Sequence, residues 1–371
     1  MTAVLHVTQP TSAGVARTVL SLAVAQAAAG LDVTVACPDG ELPGRLAAAG
    51  VRWRVWESER GPGPEVLRER ERLRHIMAGL RPDLVHLHSS KAGLVGRLAL
   101  RGRHPTVFQP HAWSFLASGR TRAAAVGWER YAARWAHMTL FCSHRELRQG
   151  EAAGIAAVGR VVLNGVDLTR FAPPADPSAA RRTLGLPEEA RVAVIVGRKS
   201  VQKGQDVALA AWPLVRAAVP GALLVLMGEG YGNSVDGVHG VVTYAARPDV
   251  RPVLAAADLV LSPSRWEGLS LSLLEGMASG RPTVASDVAG SAEALLGGPL
   301  PPAGTVVPPQ DVAGLAAAVT AHFAAPELCR HEGVAARRRA EATYAAAGTA
   351  TAVHEVYQLL LGRPSRQPKT P

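Results

Sequence analysis

The stretch Pro263-Ser264-Arg265-Trp266-Glu267-Gly268-Leu269-Ser270-Leu271-Ser272-Leu273-Leu274-Glu275-Gly276-Met277-Ala278-Ser279-Gly280-Arg281-Pro282 predicts the fold class. It follows an apolar run at 258–262 that is typical of a buried parallel strand, and it passes through a glycine turn into a helix. Two carboxylates, Glu267 in the loop and Glu275 in the helix, have seven residues between them. The order of strand, loop and helix is the repeating unit of an open α/β sheet.

The loop of this stretch is a predicted binding site. Open α/β sheets bind ligands beyond the carboxyl ends of their strands, which is where the loop lies. The expected unsatisfied donors of the helix amino terminus are the backbone amides of Gly268, Leu269, Ser270 and Leu271. We therefore expect an anion such as a diphosphate to bind here.

Alternation of strands and helices extends over most of the chain. A chain of 371 residues is long enough for two domains. The alternation predicts two Rossmann-like, doubly wound parallel-sheet domains that face a cleft. The predicted strands lie at 4–7, 33–36, 51–56, 84–88, 106–108 and 139–141 in the first half, and at 192–196, 223–226, 258–262, 283–285 and 305–307 in the second.

Prolines between residues 164 and 187 mark the expected domain boundary. The prediction is an amino-terminal domain at 1–170, a linker at 171–190 and a carboxyl-terminal domain at 191–340. An Ala-rich helix at 341–361 and a frayed polar end at 362–371 follow.

The formal charge of +10 is unevenly distributed. Residues 1–175 hold 22 lysines and arginines against 13 acidic residues, whereas residues 176–371 hold 18 against 17. A basic surface attracts nucleic acid, anionic lipid or an anionic substrate, and a solvated arginine-rich face is the alternative. No nucleic-acid-binding motif accompanies the arginines, so nucleic acid is not an expected partner.

The cysteines and the apolar stretches indicate a cytoplasmic protein. Cys37, Cys142 and Cys329 are scattered without CxxC spacing, which is typical of reduced thiols and of neither a disulfide framework nor a zinc site. The apolar stretch at 18–31 is shorter than the ~20 residues that a membrane helix needs and has no basic leader. Neither a spanning helix nor a signal peptide is predicted.

Two cations follow the first strand of the second half. They are Arg198 and Lys203, in the loop Gly197-Arg198-Lys199-Ser200-Val201-Gln202-Lys203-Gly204. A guanidinium fork and an ammonium group are the usual means of holding a diphosphate, and the loop lies at the same sheet edge as Glu267. Considered alone the two cations can be ordinary surface charges, but the adjacent anion site favours binding.

Two positions of the first half are further candidates. Gly14 lies in a small-residue turn that permits close approach of a ligand, although the turn lacks a GxGxxG pattern and does not favour a nicotinamide cofactor. His111 follows the strand at 106–108 and can act as a base, an acid or a hydrogen-bond donor. Both residues can also be purely structural.

Two further histidines, His86 and His88, share one face of a strand. A buried or hydrogen-bonded pair is preferred over metal ligands. Because the chain has no Asp-x-Asp pair to hold a divalent ion on a nucleotide, no metal is expected.

Together these motifs resemble the signature of the retaining, GT-B-fold glycosyltransferases of family 4, or glycosyl transferases group 1. The element from Glu267 to Glu275 carries the resemblance, with agreement at 164–171, 196–204 and 227–230 and at the Gly14 turn. It covers nearly the whole chain in the right order. The resemblance implies transfer of a sugar from a UDP- or GDP-sugar to a hydroxyl acceptor, with retention of configuration and without a divalent metal.

The resemblance also implies residue roles. Glu275 would hydrogen-bond the ribose, while Arg198, Lys203 and the amides of 268–271 would hold the diphosphate. Glu267 would lie beside the donor sugar and His111 near its anomeric centre. The base would lie near residues 244–247, and the helix at 341–361 would cross back onto the first domain.

Two positions depart from the family pattern. Gly268-Leu269-Ser270 stands where many members have Gly-Phe-Gly, which retains the amides but changes the pocket wall. Ala13 precedes Gly14 where many members have Gly-Gly, so its Cβ is expected to narrow the room beside the donor phosphate or the acceptor.

Two alternative functions and one partner remain open at this point. A sugar-nucleotide epimerase of the same architecture and a non-catalytic sugar-nucleotide-binding protein use similar sites. The acceptor is not indicated, but a basic helix of the first half could contact the inner face of an anionic membrane. Its residues are Arg120, Arg122, Trp128, Arg130, Arg134 and Trp135.

Overall fold

The computed structural model describes residues 1–117, 119–235 and 237–362. The chain divides into two compact units, one formed by residues 1–164 with the chain from 346 onward and the other by residues 165–345. Each unit contains one parallel β-sheet with helices, so the predicted pair of doubly wound α/β domains is confirmed. The frayed end predicted at 362–371 lies, apart from Gly362, outside the described residues.

The first unit is built on a seven-stranded sheet. Its strands are β1 (Ala3–Thr8), β2 (Asp32–Cys37), β3 (Arg52–Val55), β4 (Leu84–His88), β5 (Thr106–Gln109), β6 (Met138–Phe141) and β7 (Gly159–Val161). Its helices are α1 (Ala13–Ala28), α2 (Glu41–Ala48), α3 (Val66–Leu80), α4 (Ser89–Leu100), α5 (Arg122–Ala132) and α6 (His144–Ala152). The strand order is β3-β2-β1-β4-β5-β6-β7. The single helix predicted at 123–137 is α5 followed by a 3₁₀ turn, Ala133–Trp135.

The second unit is built on a six-stranded sheet. Its strands are β8 (Val192–Val196), β9 (Leu223–Met227), β10 (Val241–Tyr244), β11 (Leu259–Ser262), β12 (Thr283–Ser286) and β13 (Gly304–Val307). Its helices are α7 (Pro177–Leu184), α8 (Gln205–Ala218), α9 (Arg251–Ala256), α10 (Leu271–Ala278), α11 (Ser291–Leu296), α12 (Val312–Ala324) and α13 (Pro326–Thr343). The strand order is β10-β9-β8-β11-β12-β13, so β8 and β11 are neighbours.

The last helix of the chain, α14 (Ala346–Leu360), belongs to the first unit. Val353, Val356 and Tyr357 are buried in the same apolar cluster as the residues of α1 and β1. Burying such side chains stabilises the unit by roughly 1.5–3 kcal/mol each. Removal of α14 would therefore expose part of the first unit's core.

The linker predicted at 171–190 is part of the second unit. Helix α7 packs against α9, and Arg181 donates a 2.8 Å hydrogen bond to the carboxylate of Asp258. The Asp176-Pro177 pair is a helix start, because the Asp176 carboxylate accepts hydrogen bonds from the amides of the first turn. Asp176-Pro177, one of the proline sites that indicated a linker, therefore marks the start of a packed helix, and the units divide at 164/165.

Among the described residues, no single helix is both long and apolar enough to cross a membrane. Helices α12 and α13 pass that test of length and composition only as a pair, which is bent by 101°.

Candidate active site

Two loops of the second unit meet at the carboxyl edge of its sheet. One connects β8 to α8 and the other connects β11 to α10, and these two strands are paired in parallel. Gly204 ends the first loop with φ +66°, and a Cβ at this position would overlap the carbonyl oxygen of Pro263 in the second. Only glycine permits both this backbone conformation and this approach.

The contact between the loops brings Lys203 and Glu267 together. The Nζ of Lys203 lies 2.6 Å from Oε1 of Glu267, and the hydroxyl of Ser264 donates to the same oxygen at 2.9 Å. Glu267 is buried, whereas the Lys203 side chain is 24% exposed to solvent. The structure therefore pairs the cation and the carboxylate that the sequence analysis predicted to share a site.

The loop that carries Arg198 is held by two side chains that the sequence analysis did not single out. The amide of Gln205 accepts a hydrogen bond from the Ser200 N–H at 3.2 Å and donates to the Arg198 carbonyl at 2.9 Å. The hydroxyl of Tyr231 donates to the Gly197 carbonyl at 2.8 Å. Arg198 thus projects from a backbone fixed on both sides.

Helix α10 begins later than predicted. Its first residue is Leu271 and its N-cap is Ser270, which makes no side-chain capping hydrogen bond. The amides of the first turn therefore belong to Leu271, Ser272 and Leu273, and Gly268 and Leu269 lie in the preceding loop. The amino terminus of α10, which is the positive end of the helix dipole, still lies at this edge of the sheet.

Glu275 and Tyr244 occupy two further positions of this unit. Glu275 is buried in α10, one turn beyond its start. Tyr244 ends β10, and its hydroxyl donates to the Leu184 carbonyl at 2.6 Å. That hydroxyl has a structural role, whereas residues 245–248 are exposed.

In the first unit, the left-handed residue of the turn before α1 is Ala13 and not Gly14. Ala13 has φ +60° and is the first residue of α1, whereas Gly14 already lies inside the helix. A Cβ at Gly14 would meet no described atom within 4 Å. The fold therefore does not require glycine at position 14.

Ala13→Gly is expected to stabilise the protein. A left-handed conformation costs a non-glycine residue roughly 1–2 kcal/mol, and the greater freedom of glycine in the unfolded chain offsets roughly 0.5–1 kcal/mol. Urea denaturation should give a free energy of unfolding that is higher by about 0.5 kcal/mol. The control is Ala29→Gly at φ −79°, where the stability should fall instead; a decrease at both positions would contradict the strain at Ala13.

His111 stands on a strained turn after β5. His111 and Ala112 have φ +54° and +95°, conformations that non-glycine residues rarely adopt. The Ala112 N–H donates to Oε1 of the buried Glu146 at 2.6 Å, and the Cys142 N–H donates to Oε2 at 2.7 Å. Glu146 therefore holds the turn in place.

Sequence reasoning missed Glu146, although a signal was present. Ser143-His144-Arg145-Glu146 is the S-x-x-E pattern of a capping box, and the Ser143 hydroxyl indeed accepts from the Glu146 N–H. The pattern predicts the start of α6. It does not predict that the Glu146 carboxylate also reaches the backbone beside His111.

The half-buried His111 ring adjoins a group of buried histidines, His6, His86 and His88. Burial lowers the pKa of His111 to about 3. His88 contacts it through a ring hydrogen bond of 3.1 Å, and His86 bonds to the hydroxyl of Tyr357 at 2.7 Å. The preferred interpretation of His86 and His88 as buried, hydrogen-bonded residues is supported.

A cavity of about 510 Å³ in the second unit lies at the other edge of the sheet. Asp258 and Pro282, which line it, immediately precede β11 and β12. Open α/β sheets bind their ligands at the carboxyl ends of the strands, so this cavity is not assigned to the active site.

Comparisons with known proteins agree with this architecture. A model of "Glycosyltransferase Family 4" matches residues 12–170, and one of "Glycosyl transferases group 1" matches residues 190–324. Glycogen synthase of Mycobacterium tuberculosis is 31% identical over 96% of this chain and 93% of its own. The lipopolysaccharide core biosynthesis mannosyltransferase LpsB of Rhizobium meliloti is 27% identical over 77% of each chain.

Solved structures show the same fold. Sucrose-phosphate synthase from Thermosynechococcus elongatus superposes with a TM-score of 0.83 at 21% identity, covering 98% of this chain and 100% of its own. WaaG, a glycosyltransferase involved in lipopolysaccharide biosynthesis, superposes with a TM-score of 0.74 at 16% identity, covering 97% and 100%.

The two parallel-sheet units and these relatives define a glycosyltransferase of the GT-B class. The chain belongs to the glycosyl transferases group 1, family 4.

Proposed function

We propose that this glycosyltransferase takes its sugar from a UDP- or GDP-sugar, transfers it to a hydroxyl acceptor with retention of configuration, and needs no divalent metal. The observation that carries the proposal is the Lys203–Glu267 pair beside the amino terminus of α10. The Lys203 ammonium and the first-turn amides of α10 supply positive charge for a diphosphate at the sheet edge where such ligands bind, and Glu267 holds the ammonium in place. Retention is proposed from family membership.

The proposed reaction exchanges one bond at the anomeric carbon. The bond from this carbon to the diphosphate oxygen breaks, and the acceptor hydroxyl forms a new bond on the same face. The proton of the acceptor passes to a diphosphate oxygen. Lys203, Arg198 and the first-turn amides of α10 stabilise the negative charge that develops on the leaving group.

The remaining site residues orient the donor in this proposal. Glu275 accepts hydrogen bonds from the ribose hydroxyls, and Glu267 lies beside the sugar. The base binds near 244–247. His111, whose pKa desolvation lowers to about 3, interacts with a sugar hydroxyl and not with the charged diphosphate.

Glu275→Gln should weaken donor binding by about tenfold to a hundredfold. Hydrogen bonds to a charged acceptor contribute roughly 1.5–3 kcal/mol, and the amide loses that charge while keeping the size of the side chain. Isothermal titration with UDP- and GDP-sugars measures the change. Glu327→Gln, on the exposed surface of α13, is the control. Equal donor affinities for the two variants would show that Glu275 does not bind the ribose.

Gly14→Ala should separate stability from activity. Alanine is favoured over glycine inside a helix by roughly 0.8–1 kcal/mol, and no described atom obstructs the new methyl group. The melting temperature should therefore rise. If the donor or acceptor approaches this turn, kcat/KM should fall about tenfold at the same time, whereas unchanged kinetics would show that Gly14 contacts neither.

A nucleotide-sugar panel tests the whole proposal. A ligand at 100 times its Kd stabilises a protein by about 2.7 kcal/mol, so the true donor should raise the melting temperature, with and without EDTA. ¹H NMR of the donor, which distinguishes epimers of equal mass, then follows turnover with and without candidate acceptors. An isomerised donor in the absence of any acceptor would indicate an epimerase, and binding without turnover a non-catalytic protein; dependence on a divalent metal would contradict the proposed mechanism.

We also propose that α5 and its flanks contact an anionic membrane and so reach a lipid-linked acceptor. Arg120, Arg122, Arg130 and Arg134 are exposed, and Trp128 and Trp135 are half-buried beside them. A helix with arginines on its polar face and aromatic side chains on the other is typical of such contacts. Flotation with acidic liposomes at physiological salt should carry the protein upward; its absence from the lipid layer would exclude this contact.

A further inference from the structure

The histidine group of the first unit follows from the strand register. In the pairing of β1 with β4, His6 lies opposite His86 and Thr8 lies opposite His88. Because alternate residues of a strand share a face, the three imidazoles lie on one face of the sheet. Gln26 of α1 and Tyr357 of α14 pack onto them, and all five side chains are buried.

Three hydrogen bonds connect Gln26 to His111. Oε1 of Gln26 lies 2.7 Å from Nε2 of His6, and Nδ1 of His6 lies 2.9 Å from Nε2 of His88. Nδ1 of His88 lies 3.1 Å from Nε2 of His111. These hydrogen bonds form a continuous series from Gln26 in α1 to His111, the candidate active-site histidine.

The amide of Gln26 sets the direction of these bonds. A carboxamide oxygen can only accept, so Nε2 of His6 carries a proton. Burial lowers the pKa of His6 to about 4 and that of His88 well below its ordinary value, so each ring holds one proton. Nδ1 of His6 therefore accepts from Nε2–H of His88.

The same assignment of protons extends to His111, the last residue in this series of hydrogen bonds. Because the single proton of His88 is on Nε2, its Nδ1 accepts from Nε2–H of His111. His111 is uncharged as well, so its own Nδ1 keeps a lone pair. The bonds select one of its two tautomers.

We propose that Gln26, His6 and His88 are positioning residues that hold His111 in its Nε2–H tautomer, leaving Nδ1 as a hydrogen-bond acceptor. The tautomer is a property of the protein alone. Its consequence, that His111 accepts a hydrogen bond from a hydroxyl of the donor sugar, rests on the proposed function.

A metal ion is the alternative occupant of this group. Ring nitrogens of His6, His86 and His88 all lie within 4.8 Å of one another. The ligand atoms of a tetrahedral zinc, each ~2.0–2.1 Å from the ion, lie about 3.3 Å apart. Nδ1 of His6 and Nε2 of His88 are only 2.9 Å apart and are directed at each other. This geometry favours a hydrogen bond between them over a bound metal ion.

His86 provides the matched control. Its ring lies against His88 with the centroids 3.9 Å apart, and it is equally buried. Its Nδ1 is hydrogen-bonded to the hydroxyl of Tyr357, so among the described contacts it takes no part in the bonds that lead to His111. A change at His86 disturbs the packing of the group but not the sequence of donors and acceptors.

The experiment measures histidine tautomers by NMR on the full chain labelled with ¹⁵N-histidine, without any donor. His111→Asn assigns the His111 signals among the 12 histidines. In the wild type, His111 should be protonated on Nε2 alone. Gln26→Leu removes the terminal acceptor, so both directions become accessible and His111 should show both tautomers. His86→Gln should leave His111 unchanged.

Kinetics give a second readout. With an active donor, Gln26→Leu should lower kcat/KM about tenfold. His86→Gln should have little effect on kcat/KM when its melting temperature is the same as that of Gln26→Leu. Because the NMR measurement needs no donor, failure of the proposed sugar transfer would leave the tautomer result intact.

Three outcomes would overturn the inference. One is a wild-type His111 that is protonated on Nδ1 or populates both tautomers. Another is an equal shift of the His111 signals in His86→Gln and Gln26→Leu, which would indicate packing and not hydrogen bonding. The third is stoichiometric binding of added Zn²⁺ with displacement of the His6, His86 and His88 signals. If Gln26→Leu fails to fold, the wild-type measurement alone decides.

Discussion

Lys203→Ala is expected to lower kcat/KM for transfer by about 10²- to 10³-fold. Lys203 lies in the loop after β8, and its Nζ is 2.6 Å from Oε1 of Glu267 at the carboxyl edge of the sheet. Removing one preorganised donor that stabilises a developing anion costs about 2.7–4 kcal/mol. Steady-state kinetics with a saturating acceptor measure the loss.

The matched control is Lys199→Ala. Lys199 lies in the same loop and carries the same charge, but its side chain is exposed, and its backbone N–H donates to the Glu229 carbonyl whichever side chain is present. Equal losses in the two variants would show that only the overall charge of the loop matters. Near-normal turnover in Lys203→Ala would contradict the proposed role of Lys203.

A double variant separates stability from catalysis. In Lys203→Ala, the buried Glu267 carboxylate keeps Ser264 as a hydrogen-bond donor but loses its cation, and burying a charge without its counterion is destabilising. Adding Glu267→Gln removes that charge. The melting temperature should then recover while the activity stays low, whereas recovery of both would mean that Lys203 serves only to neutralise Glu267.

Gly290→Ala is expected to destabilise the second unit by about 2–4 kcal/mol and to lower activity about a hundredfold. Gly290 caps α11 at φ +77°, and a Cβ there would overlap the Gly268 carbonyl oxygen and lie 2.9 Å from Cα of Leu269. The left-handed conformation costs an alanine ~1–2 kcal/mol, and overpacking costs ~1–3 kcal/mol. Displacing the loop that carries Glu267 by an ångström is enough for the loss of rate.

Gly298→Ala controls for the backbone conformation. Gly298 has φ +71°, but no described atom lies within 4 Å of the Cβ position. This variant should lose only the ~1–2 kcal/mol of left-handed strain and keep its activity. Chemical denaturation and kinetics of both variants measure the difference; a similar loss of activity in both would mean that the Gly268 contact does not position the loop.

Much of the donor-side chemistry was predictable from local sequence. The apolar run before the loop and the helix pattern after it correctly predicted β11 and α10, with Glu267 in the loop and Glu275 in the helix. The loop with Arg198 and Lys203 follows β8 as predicted. These features depend on hydrophobic periodicity and on glycine turns, both of which are local properties.

Other elements were not predictable because their signals are weak or shared. Strand β10 has partly exposed residues and no strong alternation, so periodicity did not indicate it. The prolines at 171–190 are compatible with a linker and with a capped helix, and only the packing of α7 on α9 distinguishes the two. The start of α10 differs because a serine can precede or begin a helix.

The sequence alone determined the family, the two α/β domains and the set of charged residues at one sheet edge. The tertiary structure decided which of these residues touch. It paired Lys203 with Glu267 across two loops, placed the strain at Ala13 and not at Gly14, and joined Gln26, His6 and His88 to His111. The physical reason is that hydrogen bonds between distant residues depend on strand register and on close backbone approach, which no local pattern encodes.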